Sequence, residues 1–201
     1  NILLHLDEVV CGVGRTGQWF GYQHFGIKPD FVTMAKGVAS GYAAISCTVT
    51  TEAIFDLFKD EPTDPMAHFR DISTFGGCTA GPAAALENMR IIEDENLLEN
   101  TTRMGARLLA NLHVIGDVRG LGLFCGIELV ADRARREPLD DKSVQAVLAG
   151  CLAAGVIVSS TNRSLQGLNN TICLSPALIA TEADIDQITA VIDGVLGQLF
   201  K

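Results

Sequence analysis

Ile2-Leu3-Leu4-His5-Leu6-Asp7-Glu8 and Phe31-Val32-Thr33-Met34-Ala35-Lys36 are the two stretches whose reading decides the fold. Each is a short apolar run that ends on a charge. Runs of that length, closed by loop residues, read as buried parallel strands. In open α/β sheets the ligand site lies off the carboxyl ends of the strands. Asp7 and Lys36 would then face one crevice from two neighbouring strands.

Working outward, Gly12-Val13-Gly14-Arg15-Thr16-Gly17 is a glycine-rich loop, with Thr16 a candidate cap for a short helix carrying Trp19, Phe20 and Tyr22. Gly37 to Gly41 is a second loop, Ala44 to Val49 a third strand, and Thr51 a candidate cap for a helix through Phe58. Residues 60–82 are rich in Asp, Pro, Gly and Thr and read as a long loop. Helices are expected from Ala83, where Leu86, Met89, Arg90 and Glu93 keep helical spacing, and from Leu97 to Leu112. Beyond them come a strand Leu123 to Val130, a polar linker, a helix Lys142 to Ala153 closed by Gly155, and strands Val156 to Ser159 and Thr171 to Leu174. Thr181-Glu182-Ala183-Asp184 has the form of a capping box opening a last helix. The fold class expected is α/β. Residues 1–113 form part of a large, mostly parallel sheet with helices on both faces, and 114–201 a small α+β domain.

Composition narrows the function. Nearly half of the 201 residues are apolar and the net charge is −9. That suits a soluble globular protein, expected to be cytoplasmic, and disfavours nucleic acid or an anionic membrane, which need clustered Lys and Arg. Asn1 to Asp7 lack the basic start and small-residue cleavage site of a signal peptide. They read as a strand entered midway, so a longer protein is expected. The six cysteines show no CxxC pairing and read as buried reduced thiols rather than zinc ligands. No Gly-x-Ser-x-Gly elbow supports serine hydrolysis.

Asp7 and Lys36 alone also fit an ordinary ion pair at a sheet edge. A lysine between Ala35 and Gly37 is less ordinary, because small neighbours leave room for a bulky group against the amine. Pyridoxal 5'-phosphate (PLP) chemistry needs this pair: an amine to bind the cofactor and move a proton, and a carboxylate to keep the pyridine nitrogen protonated. Thr74, in Ser73-Thr74-Phe75-Gly76-Gly77 ahead of a helix, suits a phosphate, although a plain turn and cap explains it too. Arg15 reads as a structural salt bridge. Arg163, in a polar loop, is either solvated or a bidentate grip on a substrate carboxylate. The four histidines share no spacing with other ligand residues and read as structural.

Together these residues resemble the class III (ω-) aminotransferases, fold type I PLP enzymes. The resemblance rests on Leu6-Asp7-Glu8-Val9-Val10-Cys11-Gly12-Val13-Gly14-Arg15-Thr16-Gly17, Phe20-Gly21, His24-Phe25-Gly26-Ile27-Lys28-Pro29-Asp30 and Ala35-Lys36-Gly37. Lys36 follows Asp7 by 29 residues, the interval of the family. Ser73-Thr74-Phe75-Gly76-Gly77, Val118-Arg119-Gly120-Leu121-Gly122 and Ser175-Pro176-Ala177-Leu178 extend it along the chain.

The resemblance implies that Asp7 binds the pyridine nitrogen, that Val9 packs on the ring and that Lys36 is the Schiff-base and proton-transfer residue. It implies that Thr74 reaches the cofactor phosphate of the neighbouring subunit of a homodimer or higher homo-oligomer, and that Arg163 takes the carboxylate of the amino acceptor. The expected reaction moves an amino group from an ω-amino acid or amine to a 2-oxo acid, with pyruvate the expected acceptor.

Val10 stands where some relatives carry glutamine, and Cys173 where others place an arginine, which argues against an ornithine-type substrate. The family's main phosphate loop and ring-stacking aromatic belong to a half that this chain lacks, so alone it is expected to be an incomplete enzyme. Other class III reactions (aminomutase, racemase, decarboxylase) share the same two residues. A Walker B reading of Ile2 to Glu8, as part of a P-loop ATPase, is the alternative from another class, and a non-catalytic relative is a further one.

Overall fold

Why Asp7 and Lys36 end up on adjacent strands follows from strand pairing in the computed structural model, which describes residues 2–59, 69, 72–112, 116–162, 165 and 167–200. The chain forms two compact units, one of Asn1–Gly14 with Gln18–Asn96, the other of Arg15–Gly17 with Leu97–Lys201. The division falls between Asn96 and Leu97, so the helix that starts at Leu97 belongs to the second unit.

In the first unit β1 (His5–Asp7) pairs in parallel with β2 (Phe31–Met34), in the register His5↔Phe31 and Asp7↔Thr33. The long connection between them permits a parallel crossover. β3 (Cys47–Thr50) then pairs with β2 antiparallel, giving the order β1-β2-β3. Strand periodicity puts Val32 and Met34 on the buried side, with Phe31 and Thr33 on the other. β1 is shorter than the apolar run suggests. Only Leu6 turns inward, and His5 and Asp7 are exposed.

α1 (Glu52–Phe55) runs into a 3-10 turn, Asp56–Phe58, and none of its residues is buried; without a packed face it does not grow into a longer helix. α2 (Ala80–Asp94) begins three residues earlier than expected. It buries Gly81, Ala85 and Ile92 along one stripe. A side chain at Gly81 would press on Ala44 and Ile45, so glycine lets the helix approach closely. Most of the long loop expected over 60–82 lies outside the described residues.

The second unit is a denser assembly. α3 (Leu97–Asn111) leads to a hairpin of β4 (Asp117–Leu121) and β5 (Phe124–Glu128), which turns at Gly122 with φ +54°. A small hairpin of β6 (Val130–Asp132) and β7 (Glu137–Pro138) occupies the polar linker, and α4 (Asp141–Ala153) follows. β8 (Ser159–Ser160) and β9 (Thr171–Leu174) complete an antiparallel sheet in the order β4-β5-β9-β8, and α5 (Glu182–Leu199) ends the fold. Met104, Leu108, Leu123, Ile127, Val144, Ile172 and Ile185 form a continuous core.

Gly155, at φ +86°, closes α4 as the sequence suggests. Thr181 Oγ1 accepts from the Asp184 amide at 3.3 Å, and Asp184 Oδ2 from the Thr181 amide at 2.8 Å, so the capping box forms. Cys125 and Cys151 are buried, and burial pushes the Cys125 thiol up to about 11, which leaves it unreactive. Cys78, in contrast, is exposed, and Cys11, Cys47 and Cys173 are half-buried, so the buried reading holds for two of the six.

Candidate active site

The site expected from sequence begins where β1 stops. Asp7 Oδ1 accepts the Val9 amide at 2.9 Å, a turn that fixes one carboxylate oxygen and leaves the group exposed at the strand's carboxyl end. Val9 is half-buried beside it. Glu8 points the other way and is 5% exposed. Its two carboxylate oxygens accept the amides of Gly21 and Tyr22 at 2.9 Å each, the opening of a 3-10 turn at Gly21–Phe25. A buried carboxylate demands such partners. Glu8 therefore does the capping that the sequence assigns to Thr16, which sits in the segment belonging to the second unit. Its main chain also bonds to Thr33 O and to the Gly12 amide, so one residue ties β2 and the glycine loop to the end of β1.

Lys36 follows β2 directly and opens a 3-10 turn, Lys36–Ala39. Its backbone sits at φ +44°, a conformation that residues with a side chain rarely adopt and that clusters at functional sites. Val38 and Ala39 behind it are 1% exposed, whereas the lysine side chain is exposed. Among the described residues, Lys36 has no side-chain hydrogen bond or ion pair. The ordinary Asp7–Lys36 ion pair is accordingly not formed. Parallel pairing of β1 with β2 brings both groups to the same end of the sheet. On the face that carries Asp7, His5 Nε2 meets Thr33 Oγ1 at 2.7 Å.

Over residues 1–196 the sequence matches the family model for aminotransferase class-III. The chain belongs to the class III aminotransferases. It is 72% identical to a taurine–pyruvate aminotransferase of Rhodobacter capsulatus, across 99% of this chain and 45% of that protein. Identity is 71% to a hypotaurine/taurine–pyruvate aminotransferase of Paracoccus denitrificans, across 100% of this chain and 45% of the relative. The crystal structure of a Bacillus anthracis aminotransferase superposes with a TM-score of 0.93 at 39% identity, covering 98% of this chain and 45% of that one. The chain thus spans under half the length of the relatives it matches. These likenesses bear out the α/β reading and the family resemblance, and leave the Walker B alternative without support.

The remaining residues of this class III chain separate into those described and those not. Thr74 is described, in an exposed turn where the Gly76 amide bonds to Ser73 O at 2.9 Å, six residues before α2. Among the described residues no hydrogen bond joins it to Asp7 or Lys36. Arg163 lies outside the described residues. Arg15 is structural, but not through the salt bridge expected: its guanidinium donates to the carbonyls of Leu123, at 3.2 Å, and Pro176. Burial lowers its pKa without discharging it. Among the described residues no group of His, Cys, Asp and Glu could hold a metal ion, and no helix is long and apolar enough to cross a membrane.

Sequence reasoning missed two residues that shape the site. Glu8 could be inferred only in retrospect, since an acidic pair at a strand end gives no sign of which carboxylate is buried. Asn88, on α2, donates Nδ2–H bonds to the carbonyls of Gly37 and Val38. Its signal was a polar residue on a helix stripe otherwise made of Gly81, Ala85 and Ile92.

Proposed function

We propose that the protein is a PLP-dependent transaminase, in the cytoplasm, that moves the amino group of an ω-amino sulfonate or sulfinate (taurine or hypotaurine) to pyruvate. The observation that carries this reading is the pair of opposite charges at the carboxyl ends of two adjacent parallel strands, with the lysine on a left-handed backbone. The activities of the relatives at 71% and 72% identity support the choice of substrates.

The residues present fit the cofactor. Asp7 offers an exposed carboxylate oriented by the Val9 amide, the acceptor a protonated pyridine nitrogen requires. Lys36 offers an amine without a partner among the described residues, next to the buried Val38 and Ala39. When bound, PLP supplies an electron sink for the substrate carbon. Lys36 Nζ would hold the cofactor and would move the proton between the substrate carbon that bears the amino group and the cofactor carbon that receives it. Asp7 keeps the ring nitrogen protonated, and Val9 offers an apolar contact to one ring face. Thr74 serves the phosphate of the neighbouring subunit in a homodimer, and Arg163 holds the carboxylate of the acceptor.

The test is the visible spectrum of the full-length protein with PLP. A yellow band that bleaches with taurine, returns with pyruvate and is missing in Lys36→Ala is the expected result. A full-length, folded protein without that band overturns the reading. A band that bleaches with other amines and ignores taurine overturns the substrate alone.

A further inference from the structure

We infer that Asn88 is a positioning residue for Lys36: its side-chain amide clamps the turn that holds the lysine in its left-handed conformation. This deepens the proposed PLP function and rests on it.

The argument starts from α2. Gly81, Ala85, Asn88 and Ile92 fall at i, i+4, i+7 and i+11, one helical stripe. Gly81, Ala85 and Ile92 are buried and apolar, and Asn88 is half-buried among them. A packing stripe favours a hydrophobe at that place, since a polar group taken from water must recover its hydrogen bonds. Asn88 recovers them on the lysine turn. Nδ2 donates to Gly37 O at 2.8 Å and to Val38 O at 3.2 Å, two consecutive carbonyls. Because both partners are acceptors, the nitrogen must face the turn and the amide has only one sensible orientation.

The turn needs such a tie. Lys36 at φ +44° and Ser40 at φ +50° bracket it, and a disfavoured backbone persists only where its surroundings over-determine it. At its edges Val38 N bonds to Ala35 O at 3.1 Å and Ser40 N to Gly37 O at 3.3 Å. Val38 and Ala39 are packed away, which anchors the far side. Among the described residues, Asn88 supplies the side-chain hydrogen bonds that the turn receives. The two bonded carbonyls follow Lys36 immediately, so the clamp sets the direction of the peptide from which the reactive amine extends.

Two variants of the full-length protein test this. Asn88→Asp keeps the shape and replaces the donor by an oxygen that repels both carbonyls; Asn88→Ala removes the clamp. Two rates are read: capture of PLP at Lys36 by the apoprotein, followed as growth of visible absorption, and steady-state turnover. The expected result is a capture rate and a kcat lowered about 10- to 100-fold, as displacement of a reacting group by about 1 Å produces, with KM for pyruvate within about twofold of wild type. Asp should be the worse of the two, and melting temperatures should stay near wild type. Rates like wild type in either folded variant overturn the inference and leave the PLP reading intact. So does a loss of kcat that only tracks a loss of melting temperature. A wild-type protein that captures no PLP at Lys36 overturns the underlying reading and this inference with it.

Discussion

The unit that carries Asp7 and Lys36 and the unit that runs from Leu97 put their residues to different uses. In the second, eighteen of the described residues are buried in one cluster with a four-stranded antiparallel sheet. In the first, three short strands and a few buried residues support long connections, and four of the five described non-glycine residues at positive φ (Val13, Lys36, Ser40 and Asn96) lie there. Left-handed backbone concentrates in the unit that carries Asp7 and Lys36, and dense packing in the other. The lesson concerns how each part is held. The second unit is fixed by apolar area, which is non-directional. Among the described residues the first has fewer buried apolar residues, and Glu8 and Asn88 add directed bonds to the segments that carry Asp7 and Lys36.

That contrast can be broken or sharpened by substitution in the full-length protein. The largest effect expected is on chemistry alone. Lys36→Ala removes an exposed side chain and relieves nothing in the core, so turnover should vanish in a taurine–pyruvate assay while the melting temperature of the cofactor-free protein is unchanged. A large fall in stability would show that Lys36 is also structural and would blur the division. Leu108→Ala, at a fully buried position of α3, should cost about 2–5 kcal/mol in denaturant unfolding.

Gly105→Ala should cost about 1–3 kcal/mol in the same assay, although alanine is the better helix former, because its methyl would overlap the backbone of Gly122. A neutral result would mean that the hairpin moves aside and the packing is looser than the structure indicates.

The smallest effect is electrostatic. The Arg107 guanidinium, donating to Asp186 at 2.8 and 2.7 Å with help from Asn111, holds the Asp186 carboxyl below its usual range. A depressed folded-state pKa means stability present above the ordinary carboxylate value and lost as pH falls through the folded one. The melting-temperature gap between wild type and Asp186→Asn should therefore be small at neutral pH and close on acidification. A gap that persists at low pH would trace the effect to packing.

The parts of this molecule that depend on period and local chemistry were legible. Thr171–Leu174 was read with its observed limits, and Thr181 and Gly155 marked helix ends because capping and left-handed backbone belong to single residues. Asp7 and Lys36 stood out because a charge that ends an apolar strand has few uses. What was not legible depends on partners distant in sequence. Thr16 looked like a cap, and Glu8 supplies the acceptors instead from thirteen residues before Gly21. The β6–β7 hairpin hid in a polar linker, since two- and three-residue strands carry no periodicity. Asn88 reaches back 51 residues to Gly37, a pairing no local pattern announces.

The three-residue piece Arg15–Gly17, counted with the second unit although its flanks belong to the first, bears on how the chain folds as it is made. Arg15 is synthesised before the carbonyls it serves, which arrive 108 and 161 residues later. Everything from Gln18 to Asn96 is thus a loop that must close before the second unit has all its parts. Closing such a loop is an entropic cost met before any contact rewards it, and contacts of high sequence separation form late. The ribosome therefore releases most of the lysine-bearing unit before the scaffold unit can be complete, and the bond between Arg15 and Pro176 waits for that unit's last strand.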